Sequence, residues 1–238
     1  MNGVHFRWGA GLQIVSERSL NFFACQKNFV GNNYYTNIFT TSVIPMDFPS
    51  ICVFHQGHGD NGQLWFNVFK GSTWEGDKQV PATGMSSSPA AVIFNNKFYC
   101  FHQGHGNNGQ LWYNVFDNNT WEGDKPVPDT GMSSGPAAVI FNNKLYCFYQ
   151  GRRDNGELRY NVFDGSTWEG DKQVPDTGMS SSPAAVIFNN KLYCFHQGRG
   201  KNGELWFNVF NGSTWEGDKQ VPATGMSSGP SAVFYTPQ

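Results

Sequence analysis

The motif Trp-Glu-Gly-Asp-Lys begins at Trp74, Trp121, Trp168 and Trp215, so a unit of 47 residues recurs along a chain of 238. A fixed period of about 20 to 50 residues is the mark of arrays, propellers and solenoids, in which one supersecondary unit is stacked on its own copies. The copies are close. The 47 residues from Trp74 and the 47 from Trp168 differ at nine positions, Ala82/Asp176, Phe98/Leu192, His105/Arg199, Asn107/Lys201, Gln110/Glu204, Tyr113/Phe207, Asp117/Asn211, Asn118/Gly212 and Asn119/Ser213, and agree at the other 38.

Within a unit the turns are legible. Asn189-Asn190 links AAVIF to KLYCFHQG, Asn202-Gly203 links that run to ELWFNVF, and Asn211-Gly212 links that to TWEGDKQV. Such pairs tolerate the positive φ of tight hairpin turns. Each unit therefore reads as a meander of four antiparallel strands, and a Gly/Pro-rich connector such as PATGMSSGP carries the chain to the next. Few segments hold an apolar 3.6 period, so helix is expected to be nearly absent.

Both faces of these strands are apolar. In ELWFNVF, Leu205, Phe207 and Val209 face one side and Trp206, Asn208 and Phe210 the other, since side chains alternate along a strand. An isolated sheet would leave one aromatic face in water. Radial stacking covers both faces and protects the edges, which is the logic of a β-propeller.

From Ile51 to Gln238 there are 188 residues, four units with nothing over. In the first 50, Tyr35-Thr36-Asn37-Ile38-Phe39 aligns with Trp112-Tyr113-Asn114-Val115-Phe116, and Phe22-Phe23-Ala24-Cys25 with Lys97-Phe98-Tyr99-Cys100. Cys25 and Asn37 are 12 apart where Cys100 and Asn114 are 14 apart. The expectation is one all-β propeller domain over residues 1–238, with residues 1–50 a degenerate, shortened fifth blade and 51–238 four repeats. Ser231–Tyr235 would close the ring against an N-terminal strand. A four-bladed ring with an N-terminal appendage is the alternative.

Composition removes several functions. Lys+Arg 16 against Asp+Glu 18 leaves a net charge of −2, with no basic field for a phosphate backbone, so nucleic acid is not an expected partner. Charged residues are 14 % and aromatics 16 %. No window approaches the 18 or so apolar residues of a membrane helix, and the start, MNGVHFRWGAGLQIV, lacks the apolar core of a signal peptide. No membrane insertion is expected, and residence is cytoplasmic or reached by non-classical export. Five cysteines (Cys25, Cys52, Cys100, Cys147, Cys194) are an odd number in a chain large enough to build a core, which predicts reduced, buried thiols.

Units of 47 residues, each with a Trp-bearing strand, Asn-Gly turns and little charge, resemble the β-propeller lectins, among them the five-bladed tachylectin type and the bacterial and fungal propeller lectins. The resemblance is one of repeat length and pattern over nearly the whole chain. It implies carbohydrate binding in similar pockets, one per blade or blade junction.

The repeats themselves nominate residues. Trp65, Trp112 and Trp206 are replaced by Arg159 in the third unit; burying an unpaired guanidinium is costly, so this position is expected to be partly exposed. An exposed aromatic face suits the C–H face of a pyranose. The segment HQGHGDNG, beginning at His55 and recurring at His102, Tyr149 and His196, carries Gln56, Gln103, Gln150 and Gln197 in every unit. Amides and imidazole both donate and accept, as sugar hydroxyls require. These twelve residues form the predicted carbohydrate-binding set. The Trp of the WEGDK motif is read as a buried blade anchor, Asn67, Asn114, Asn161 and Asn208 as ties to backbone groups, and Asp77, Asp124, Asp171 and Asp218 as hydrogen-bond acceptors of turns and blade contacts.

Catalysis and metal binding fit less well. His55 and His58, or His102 and His105, are three apart, but Arg152 and Arg199 stand where the second histidine would recur, and no cofactor is expected. DGSTW at Asp164–Trp168 resembles the Asp-box turn of sialidases with one residue fewer between Asp and Trp. The six arginines supply no convergent carboxylate-binding triad. Near-identical repeats make near-identical pockets, whereas a catalytic constellation is one asymmetric arrangement. The expectation is a multivalent carbohydrate-binding lectin without catalysis, its partners glycans or glycoconjugates, possible also as a homo-oligomer; the alternative is a protein-interaction scaffold.

Overall fold

The computed structural model describes residues 28–30, 33–35, 50–201 and 203–236. A short hairpin, β1 (Asn28–Val30) and β2 (Asn33–Tyr35), precedes the repeats; the remainder of the expected N-terminal blade lies outside the described residues. Four antiparallel sheets follow. The first holds β3 (Ile51–Gln56), β4 (Leu64–Phe69) and β5 (Lys78–Gln79). The second holds β6 (Met85–Phe94), β7 (Lys97–Gly104), β8 (Leu111–Asp117), the short β9 (Thr120–Trp121) and β10 (Lys125–Pro126). The third holds β11 (Met132–Phe141), β12 (Lys144–Gly151), β13 (Leu158–Phe163) and β14 (Lys172–Gln173), and the fourth β15 (Met179–Phe188), β16 (Lys191–Gly198), β17 (Leu205–Phe210) and β18 (Lys219–Gln220). Strand order follows chain order, so the last three are the expected four-stranded meander, and the first shows three strands among the described residues. Among the described residues helix is confined to three one-turn 3₁₀ segments, and none is long and apolar enough to cross a membrane.

The sheets stack as blades of a β-propeller, and the aromatic ladder shows how. On β8 and β17 alternate residues face opposite neighbours. Tyr113 receives Trp168 of the following sheet edge-on at 5.6 Å, and Phe210 packs back on Phe141 of the preceding one at 6.1 Å. The motif Trp is the junction anchor: Trp121 meets Phe54 and Phe66, Trp168 meets Phe101 and Tyr113, and Trp215 meets Phe148 and Tyr160. It is partly buried rather than buried, and Trp74, with no earlier sheet among the described residues, is 54 % exposed.

First strands line the centre, where they crowd. Successive sheets place Ser88, Gly135, Ser182 and Gly229 at one position; the Gly135 N–H donates to Ser182 Oγ at 2.8 Å, and a Cβ on Gly135 would lie 2.2 Å from Ser88 Oγ. On Gly229 it would lie 2.6 Å from the Ser182 carbonyl oxygen.

One expectation is corrected. Asn-Gly between second and third strands is not a two-residue hairpin. A six-residue loop begins with a 3₁₀ turn, His105–Asn107, and Asn108 has φ −64°, its Oδ1 accepting from Gln110 N–H at 2.9 Å. Of the Asn-Gly pair only Gly109 takes positive φ. The first turns do behave as expected, with both Asn142 and Asn143 at positive φ. Among the described residues Ser231–Tyr235 joins no ladder; most of the N-terminal blade expected beside it lies outside them. The C-terminal segment enters as the first strands do, Met226 N–H donating to the Gly203 carbonyl as Met179 does to Gly156, and Phe234 lies against Phe188.

Candidate functional site

The candidate site of each unit is built where the second strand runs into the loop and the chain returns as the third strand. The ladder puts His55 opposite Trp65, His102 opposite Trp112, Tyr149 opposite Arg159 and His196 opposite Trp206. Opposed residues share one face of the sheet; in the last three units the second-strand member is the deeper and the third-strand member stays partly exposed.

The deeper members are not surface groups. His102, Tyr149 and His196 are completely buried, and Gln103, Gln150 and Gln197 nearly so; predicted as sugar contacts, they lie beneath the surface and are corrected here to supports. Their polar atoms are used inside the protein, because burial without partners would be costly. His102 Nε2 lies 3.1 Å from Asp124 Oδ1, His196 Nε2 the same distance from Asp218 Oδ1, and the Tyr149 hydroxyl donates to Asp171 Oδ1 at 2.7 Å. Burial first, then that carboxylate, pushes the Tyr149 phenol far up. The other oxygen of Asp124 accepts the Gly84 N–H of the connector at 2.9 Å, and Asp218 accepts that of Gly178. These aspartates are the predicted structural acceptors. Gln197 Nε2 donates to the Met226 carbonyl and Gln150 Oε1 accepts from Ser134. In the first unit His55 and Gln56 are only half-buried, with His55 3.4 Å from Asp77.

The third-strand members remain partly exposed, as the Trp/Arg exchange predicts. Arg159 keeps its charge by pairing: Nε donates to Asp171 Oδ2 and Nη1 to Glu157 Oε2, both at 2.8 Å. Trp206 Nε1 donates to Glu204 at 3.1 Å. The indole nitrogens of Trp65 and Trp112 have no partner, and they press on the loop: a Cβ at Gly57 or Gly104 would stand 2.6 or 2.7 Å from them and 2.4 Å from the Asn61 or Asn108 amide.

A second element of the site was not put together from sequence. The first residue of the 3₁₀ turn reaches over the Asn-Gly turn of the preceding sheet. His105 covers Gly62, Arg152 covers Gly109 and donates from Nη2 to the Asn108 carbonyl at 3.2 Å, and Arg199 covers Gly156. The signal was present as an invariant Gly opposite a position that is His in the first two units and Arg in the last two. Each junction thus carries a Trp or Arg of one sheet, its Asn-Gly turn, and a His or Arg of the next. The combinations differ: Trp65 with His105, Trp112 with Arg152, Arg159 with Arg199. Such a rim can stack on a flat apolar face and hydrogen-bond hydroxyls or anions. Among the described residues no three His, Cys, Asp or Glu side chains gather to hold a metal.

No protein-family model matches the sequence, and no curated protein is similar to it. Solved structures are similar in fold. A structure of Aleuria aurantia lectin, described as a six-bladed β-propeller with a novel fucose recognition mode, superposes with a TM-score of 0.56 at 18 % identity over 77 % of this chain and 64 % of that one. The same lectin in complex with Fucα1-6GlcNAc gives 0.54 at 17 % identity, over 76 % and 60 %. AofleA from Arthrobotrys oligospora gives 0.53 at 14 %, over 84 % and 63 %, and an exo-β-1,3-galactanase from Phanerochaete chrysosporium 0.52 at 10 %, over 72 % and 47 %. The chain therefore spans under two thirds of the length of these lectin structures. At such identities the likeness is one of fold, since one fold hosts many functions.

Proposed function

We propose that this chain is a non-catalytic carbohydrate-binding protein whose sites lie at the junctions between adjacent sheets. One observation carries the reading: a partly exposed Trp, exchanged once for a paired Arg, recurs beside an amide-bearing loop at a fixed place in every unit. Stacking on the indole face and hydrogen bonds from the Asn, His and Arg of the rim would hold a sugar, while buried His, Tyr and Gln fix the loop beneath. The fold shared with Aleuria aurantia lectin supports this and makes fucosylated glycans the first ligands to try. Several weak sites on a rigid frame gain avidity where glycan spacing matches, by about 10²–10⁴.

Glycan arrays with calorimetry test it. We expect binding to glycans with more than one site per chain, and loss of a single site in Trp112→Ala. A blank array, or a stoichiometry of one, removes the multivalent reading. The variation between His105 and Arg152 or Arg199 on the rim favours a second reading, a protein-binding face; partners retained in excess free sugar would support that one instead.

A further inference from the structure

The junction between the first and second sheets contains a half-enclosed cavity of about 160 Å³. Its walls are Phe54, Phe66 and Val68 from the first sheet, with Phe116 and Trp121 from the second. The repeat explains why it is there. Aligning the units on their shared Phe-(His/Tyr)-Gln-Gly segment places Cys52 at the position held by Tyr99, Tyr146 and Tyr193 in the other three. Tyr99 stacks on Phe101 at 6.4 Å and on Tyr113 at 6.2 Å and meets Phe163 at 6.0 Å. Those three rings are the counterparts of Phe54, Phe66 and Phe116. Tyr146 makes the same contacts with Phe148, Tyr160 and Phe210. The first junction keeps the aromatic walls and lacks the ring they enclose.

A void of this size is large enough for one aromatic ring: an engineered apolar cavity of about 150 Å³ binds benzene. Its rim selects further. Where Asp117 and Glu122 stand beside Tyr99, the first junction has Lys70 and Glu75, and Glu75 is paired with both Lys70 and Lys78. At the second junction Lys97 and Lys125 neutralise Asp117 and Glu122, whereas at the first Lys70 and Lys78 outnumber Glu75 and leave one positive charge, which suits an acidic hydroxyl.

We propose that the void beside Cys52 is a binding site for a free monocyclic phenol, the group that the other units carry covalently as tyrosine. This site is separate from the junction rims proposed for sugars. Titration of the full chain with p-cresol, followed by calorimetry and by tryptophan fluorescence for Trp121, tests it. The expected result is saturable binding of one p-cresol per chain, with benzene and cyclohexanol at least tenfold weaker. Cys52→Tyr, which restores the repeat, should abolish that binding and raise the melting temperature; Cys52→Leu, which fills the void in part, should weaken binding at least tenfold if the tyrosine variant does not fold. No saturable binding, undiminished binding in the filled variants, or equal affinity for cyclohexanol overturns the proposal.

Discussion

At the foot of each loop an imidazole (His55, His102, His196) or a phenol (Tyr149) reaches the Asp of the Trp-Glu-Gly-Asp motif. The two groups exchange because both present one polar atom at the same depth. His102→Tyr should therefore shift stability by under about 1 kcal/mol, whereas His102→Phe takes from a mostly buried carboxylate one of its hydrogen-bond partners and should cost about 1–3 kcal/mol in urea unfolding. Buried phenols and a partly buried thiol also set the alkaline limit. Tyr99 and Tyr146 are raised by burial from 10.0 to about 12, and Cys52 from 9.0 to about 11 by burial and then Glu75. A raised acid binds its proton more tightly when folded, so this stabilisation is complete below the ordinary values and is lost as pH climbs through the raised ones. Near-UV circular dichroism should show the melting temperature falling between about pH 9 and 12. Sequence alone located these positions but not their depth. Gln103 and Gln197 recur unchanged, and recurrence marks a support as readily as a contact; only neighbouring sheets decide which atoms meet water.

Strands and their order were legible because alternation and turn residues agree on one register, and because both faces of each strand are apolar. The second-to-third-strand loop was not. Asn-Gly looks alike whether Asn takes positive φ in a hairpin or, like Asn108, accepts an amide N–H from two residues on at negative φ. The glycine that opens the loop is the more telling residue. Gly104→Ala would bring a Cβ within 2.7 Å of Trp112 Nε1 and 2.4 Å of the Asn108 amide, so it should displace the indole while leaving the ladder intact. We expect glycan binding at that one junction to fall as far as in Trp112→Ala, with a change in melting temperature of only a few degrees; unaltered binding would detach Trp112 from the site.

Across the whole molecule, stability resides in the junctions. Trp168 closes one of them against Phe101, Tyr113 and Phe163, while Trp74 has only Phe69 beside it among the described residues. Trp168→Ala should cost about 2–4 kcal/mol by chemical denaturation, somewhat below the value for a fully buried Trp, and Trp74→Ala under about 1 kcal/mol. Equal costs would mean that Trp74 is covered in solution, by the shortened fifth blade proposed for residues 1–50 or by a second copy of the chain. The blade count rests on that segment, whose weak likeness to the other units let sequence suggest five blades without deciding between five and four.

The Ser88–Gly135–Ser182–Gly229 alternation at the centre has a bearing on how such an array can change its length. Tandem copies this similar in sequence invite unequal crossing-over, which deletes or adds whole units. Loss of one unit would bring like beside like, serine against the serine oxygens that now tolerate only a hydrogen atom at Gly135. Loss or gain of two preserves the alternation. A change in length that keeps this packing therefore comes in pairs of blades, 94 residues at a time.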